Sequence, residues 1–189
     1  MTTNSVLGSR LSALGQHDKR IAIAGVLGFV VAISAASQVS LPIPGTPVPF
    51  TLQPMLVVLA GLMLGPTLGT ASMLTYLALG ATGVPVFTPG GLPGIARFFG
   101  PTGGYLLAYP AAAAVTGMLA QRFPTLVGRW AAAVIGIIVV FAGGVTQLAV
   151  LNGSIARGVA LGVTPFALLD VAKAFVAALV ARPRVRSAR

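Results

Sequence analysis

No Lys or Arg occurs between Arg20 and Arg97, and the only two carboxylates of the chain, Asp18 and Asp170, also lie outside that stretch. A water-soluble domain cannot be built this way, because about a quarter of its residues are normally charged. Here the charged share is 7% and the apolar share 56%. Disorder is excluded by the same figures, since disordered chains are poor in apolar residues. The sequence is that of an integral membrane protein, and its few charges must be read as topology and site.

A transmembrane helix needs about 20 mostly apolar residues. The first candidate, residues 21–39, ends at Pro42, Pro44, Pro47 and Pro49, which no helix can run through. Ser34-Ala35-Ala36 resembles a signal-peptide cleavage site. The basic region before it is long and the apolar stretch fills a whole span, so the segment is expected to be retained. The second and third spans, 51–64 and 68–81, are short and separated by Gly65-Pro66. Residues 82–104 hold seven glycines and four prolines, so no regular structure is expected there. Their apolar members, such as Phe87, Phe98 and Phe99, mark a cap or re-entrant loop, because irregular backbone at membrane depth must be buried or line a cavity. Residues 105–121, 130–151 and 164–181 complete a six-helix bundle.

With six spans both termini fall on one side. If that side is cytoplasmic, it holds Arg10, Lys19, Arg20, Arg122, Arg129, Arg182, Arg184, Arg186 and Arg189, against Arg97 and Arg157 outside. The positive-inside rule therefore places both termini in the cytoplasm. Residues 1–20 read as a cytoplasmic N-terminal segment, 21–182 as a single membrane domain and 183–189 as a basic cytoplasmic tail. The net charge of +10 is then a collar at the membrane surface, with no nucleic acid needed to explain it.

The chain has no cysteine, and its one histidine, His17, sits beside Asp18, Lys19 and Arg20 in a polar segment. Thiol chemistry, an intramembrane Ser–His pair, a metal site and a paired-carboxylate dyad are thereby excluded. No phosphate-binding Gly-x-x-x-x-Gly-Lys motif occurs, so any ATP hydrolysis belongs to another chain.

Outside the collar stand Arg97, Arg157, Asp170 and Lys173. Charge within a membrane is expensive and marks a functional site by default. Asp170 and Lys173, at i and i+3, share a helix face and would lie about 9–14 Å along a helix starting at Thr164. Mutual neutralisation for packing is one reading of this pair, but apolar residues usually stabilise as well. Arg157 follows Asn152-Gly153-Ser154 in what reads as a polar outer loop and is taken as a solvated charge. Arg97, in the glycine-rich loop on the outer side, suits a carboxylate. Asp170 with Lys173 offers an acceptor beside a donor, the complement of an amide- or urea-like group. The inferred ligand is a small, mostly apolar acid with a polar head. Small residues at Ala24-x-x-x-Gly28, Ala32-x-x-x-Ala36 and Gly61-x-x-x-Gly65 permit close helix contacts, either within the bundle or, on the first helix, with another membrane subunit.

Several motifs together resemble the BioY family. They are Ser40-Leu41-Pro42, the run from Pro47 to Pro54 containing Thr51-Leu52-Gln53, Leu64-Gly65-Pro66, Gly83-Val84-Pro85-Val86-Phe87, Gly100-Pro101-Thr102-Gly103-Gly104-Tyr105-Leu106 and Asp170-x-x-Lys173. The family comprises biotin-binding S components of energy-coupling factor (ECF) importers. The resemblance covers about residues 20–182 and departs at Pro89-Gly90-Gly91-Leu92-Pro93. It implies an all-α bundle of six transmembrane helices with the Gly/Pro-rich loop folded over an outward pocket, in a bacterial or archaeal cell membrane. The ligand would be biotin, and the partners a transmembrane coupling (T) subunit and two cytoplasmic ATPases. The chain would be a transport subunit rather than an enzyme, with no cofactor. Asp170 and Lys173 would bind the ureido ring and Arg97 the valerate carboxylate, with the reverse assignment left open. Ala32 and Ala36 would face the T subunit. Two rival classes are a proton-coupled secondary transporter using Asp170, and a non-transporting scaffold subunit that binds no ligand.

Overall fold

The computed structural model describes residues 3–181, with side chains of the first helix described from Asp18 onward. The side chains of Arg10 and His17 and the tail bearing Arg182, Arg184, Arg186 and Arg189 lie outside the described residues. Six helices follow in order: α1 (Thr3–Gln38), α2 (Gln53–Ala81), α3 (Gly103–Arg122), α4 (Leu126–Asn152), α5 (Ile155–Gly162) and α6 (Ala167–Val180). Among the described residues there is no strand. A single antiparallel bridge, Leu41 with Phe50, closes the proline-rich loop between α1 and α2.

By length and composition, α1 from Asp18, α2, α3 and α4 can each cross a membrane, and α5 with α6, bent by 55° at their junction, make a fifth candidate. Large apolar side chains such as Val31, Val127, Val150 and Leu168 face outward, as lipid contact requires.

The single residue range of α2 conceals a reversal. A straight helix would separate Gln53 from Tyr76 by about 35 Å. The Gln53 side chain instead donates to the Tyr76 hydroxyl at 2.7 Å. The turn is at Gly65, whose φ of 80° and ψ of −179° lie in a region open essentially to glycine alone. Pro66 follows at the first position of the next arm, where its missing N–H costs nothing. The arms, 53–64 and 66–81, press together so closely that a Cβ on Gly69 would stand 3.1 Å from the Ala60 oxygen. The break expected from Gly65-Pro66 is therefore a hairpin turn. Each arm is shorter than a full span.

Two expectations need correction. Residues 154–162 are helical rather than a loop. Gly153 ends α4 in the left-handed region (φ 66°), and Ser154 caps α5 by accepting from the Arg157 amide at 3.4 Å. The polar Asn-Gly-Ser run is a cap-to-cap junction between helices. Residues 94–99, within the segment expected to lack regular structure, form a 3-10 helix, Gly94–Phe99. The glycines stand at its ends, and Ile95 to Phe99 between them contain neither glycine nor proline.

The connections fix which end of the bundle is which. Lys19 and Arg20 lie about 27 Å along α1 from Gln38. Arg122 and Arg129 flank the short α3–α4 turn, where Thr125 caps α4 by accepting from Gly128 N at 3.1 Å. These described basic residues share the end occupied by Gly65-Pro66, because Gly117 near the end of α3 abuts Pro66. The loops lie at the opposite end.

Candidate functional site

At the loop end the proline-rich segment, residues 85–102, and the first turns of α3 and α6 enclose a cavity. Arg97, Asp170 and Lys173 all line it, together with Gln53, Thr88 and a set of aromatic rings including Phe87, Tyr105 and Phe166. Arg97 and the Asp170–Lys173 pair, far apart in sequence, are thus brought to one place. Arg157 is exposed and outside this lining.

Asp170 and Lys173 stand on the first two turns of α6. The helix begins at Ala167 rather than Thr164, so the pair lies about 5 and 9 Å along it, shallower than the sequence suggests. Lys173 Nζ donates to Asp170 Oδ1 at 2.6 Å and to the Thr51 carbonyl oxygen at 2.7 Å. It also sits 3.7 Å from the centroid of the Phe50 ring, a cation–π contact. The ammonium therefore ties α6 to the proline-rich loop with two of its three hydrogen-bond donors. Asp170 is 2% exposed and receives a hydrogen bond from Lys173 alone among the described residues. A carboxylate has about four acceptor positions, so most of its capacity remains for a ligand.

Arg97, on the 3-10 helix, is 5% exposed. Its guanidinium donates to the Thr88 carbonyl oxygen and packs directly on Gly91, where any Cβ would overlap Nη1. Burial pushes its pKa below the ordinary arginine value. Among the described residues the only ion pair is Lys173–Asp170, so Arg97 is a buried cation with no acidic partner. Such a charge is costly unless something anionic meets it. Arg97 also lines a second, outer cleft between residues 40–49 and 89–102, which excludes Asp170 and Lys173. It stands at the doorway, and the Asp–Lys pair lies within.

Gln53 was not singled out by residue type, although it falls in the Thr51-Leu52-Gln53 run. It is 4% exposed, donates to Tyr76 OH at 2.7 Å and accepts from Thr88 Oγ1 at 3.2 Å. Tyr76 in turn donates to the Val86 carbonyl oxygen at 3.1 Å. Phe87 is held edge-on by Tyr76 and Phe98, with ring centroids at 5.4 and 5.8 Å. Tyr105 reaches across to α5 and donates to the Gly162 carbonyl oxygen at 2.9 Å. A polar residue just after a proline-dense stretch and a mid-span tyrosine were the available signals. Neither says which partner it finds.

The architecture and site define a class: an all-helical protein with several membrane-length helices and an enclosed polar pocket at one end. The BioY family profile matches residues 7–189. A probable biotin transporter BioY from Pyrococcus horikoshii is 41% identical over 153 residues, covering 81% of this chain and 89% of that one. The biotin transporter BioY of Thermotoga maritima is 38% identical over 154 residues, with the same coverage. The crystal structure of the S-component for biotin from an ECF-type ABC transporter superposes with a TM-score of 0.81 at 28% identity, covering 88% of this chain and 91% of that one. The chain belongs to the BioY family.

Proposed function

We propose that this chain is the biotin-binding S component of an ECF-type importer, taking biotin from the outside and delivering it inward with an energy-coupling module. The observation that carries the reading is the buried, acid-free Arg97 at the doorway of a cavity whose interior holds Asp170 beside Lys173. Biotin has the matching order of groups: a carboxylate, an apolar body and a ureido head with N–H beside C=O. Arg97 would grip the carboxylate, Asp170 accept a ureido N–H and Lys173 donate to the ureido oxygen. The alternation of charged and aromatic lining fits such a molecule from end to end.

The wider assembly follows from the same reading. Each arm of the α2 hairpin counts as a short span, and α5 with α6 as one, giving six. The basic residues at the end remote from the pocket support cytoplasmic termini and an outward-facing pocket, in a bacterial or archaeal cell membrane. Helix α1 packs on α2 alone among the described helices, and Ala32 and Ala36 on it are partly exposed and would meet a transmembrane coupling subunit. That subunit would carry two cytoplasmic ATPases. The chain itself then performs no catalysis and needs no cofactor.

Calorimetric titration of the purified protein with biotin tests the proposal. Saturable binding is expected, and its absence at micromolar concentration would refute it. Arg97→Ala should weaken biotin by 10- to 100-fold, on the scale of about 1.5–3 kcal/mol for a charged hydrogen bond, yet leave a neutral biotin amide nearly unaffected. Equal losses for both ligands would show that Arg97 does not read the carboxylate. Asp170→Asn should cost more than about 1 kcal/mol of affinity. Uptake into liposomes driven by a proton gradient, without ATPases, would favour a secondary transporter instead.

A further inference from the structure

Residues 85–88 carry the carbonyl that orients Arg97, and the last turn of α1 grips the same short segment from the other side. Gln38 Nε2 lies 3.3 Å from the Pro85 oxygen, 3.2 Å from the Phe87 oxygen and 2.8 Å from Ser37 Oγ. With the Ser34 oxygen at 3.4 Å, three of that nitrogen's four neighbours are carbonyl oxygens that can only accept, which favours this amide orientation. Ser37, fully buried, places its one hydroxyl hydrogen between the Val86 oxygen at 2.6 Å and the Ser34 oxygen of its own helix at 2.7 Å. Three consecutive carbonyls, Pro85 to Phe87, are therefore held by two adjacent side chains of α1. The next carbonyl, Thr88, is the one that Arg97 uses. The next hydroxyl, also of Thr88, reaches Gln53.

We infer that Ser37 and Gln38 are positioning residues for ligand recognition: they clamp residues 85–87 so that Thr88 holds the Arg97 guanidinium in its carboxylate-reading pose. The inference rests on the biotin-binding reading for its ligand. It does not rest on it for its mechanics. The clamp is needed because residues 82–93 contain no helix or strand, and the only backbone hydrogen bond within 84–88 is the tight one from Val86 N to Val84 O at 2.7 Å. The ring of Phe87 anchors the segment on one side only. Without the α1 side chains the Pro85 and Phe87 carbonyls would lose their side-chain donors and Val86 would keep only the Tyr76 hydroxyl, so the Thr88 carbonyl beside them would be free to move. The clamp also joins α1, which packs on α2 alone among the described helices, to the doorway residue of the pocket.

The test uses the full chain in detergent micelles, with Gln38→Ala, the isosteric Gln38→Glu that removes the donors, Ser37→Ala, Arg97→Ala and the Gln38→Ala/Arg97→Ala double variant. Gln38→Ala and Gln38→Glu should each weaken biotin about five- to tenfold, the scale of one or two hydrogen bonds, and weaken biotin amide less than about twofold. The double variant should bind no worse than Arg97→Ala alone, because both changes act through one guanidinium. Hydrogen exchange without ligand should rise in peptides spanning residues 84–97 of the Gln38 variants. If Gln38→Ala fails to fold, Ser37→Ala carries the same comparisons. Wild-type affinity in the Gln38 variants, equal losses for biotin and its amide, or multiplied losses in the double variant would each overturn the inference. If the wild type binds no biotin, the functional reading falls, and exchange alone decides the clamp: unchanged protection of residues 84–97 refutes it.

Discussion

The two ends of the bundle are held together differently, although α3 and α4 also meet backbone to backbone near the loop end, at Gly104 and Gly143. Around the hairpin turn, helices meet backbone to backbone. A Cβ on Gly61 would overlap the Ala113 carbonyl oxygen, one on Gly117 the Pro66 nitrogen and one on Gly136 the Thr116 hydroxyl. Polar side chains contribute little there: Thr116 Oγ1 is buried and has no hydrogen-bond partner among the described residues. At the loop end the backbone is irregular, and side chains hold it by directed hydrogen bonds to carbonyls. Close packing leaves no space, whereas a hydrogen-bonded frame encloses some. The difference shows why one end can be a rigid platform and the other a pocket.

The comparison can be broken in graded steps. The largest effect is expected from Lys173→Met, which strands Asp170 as a buried charge. It should cost about 3–5 kcal/mol of stability. Adding Asp170→Asn should restore much of that stability but no ligand binding, and unfolding midpoints together with titration separate the two outcomes. A Lys173→Met protein as stable as the wild type would mean that the pair does not tie α6 to the loop.

At the packed end, Gly61→Val should cost about 3 kcal/mol through overpacking against α3. In a chain of this size that lowers the unfolding midpoint by roughly 6–12 °C. Biotin affinity of the folded fraction should stay near wild type. A selective loss of affinity would show that the two ends are not separable in this way.

Smaller effects sharpen the picture. Tyr105→Phe removes the bond to the Gly162 oxygen and should cost about 1 kcal/mol, read as a lower unfolding midpoint. Arg97→Ala should leave ligand-free stability unchanged or slightly raised, since it removes a buried cation lacking an acidic partner. A clear loss of stability would mean that the Arg97–Thr88 contact serves mainly to hold the loop.

Much of this was legible in the residues themselves. The absence of charge from 21 to 96 set the class of protein. Gly65-Pro66 marked the reversal, because only glycine tolerates that backbone conformation and proline suits the helix start that follows. Arg97, Asp170 and Lys173 stood out as the charges that the basic collar did not absorb. These are local or compositional properties, carried by neighbouring residues and by the cost of charge in an apolar medium. The short helix α5 was missed because Asn152-Gly153-Ser154 has the composition of a loop while acting as one helix's end and the next one's cap.

Tertiary structure alone decided who meets whom. Lys173 finds the Thr51 carbonyl, Arg97 that of Thr88, Tyr76 that of Val86 and Tyr105 that of Gly162. Every residue carries a carbonyl, so no residue type advertises the one that will be used. The choice depends on where irregular segments come to rest after the helices have packed. The sequence determined that a few polar groups must converge within an apolar bundle. The fold determined which backbone oxygens would hold them apart, and so left room for a ligand between them.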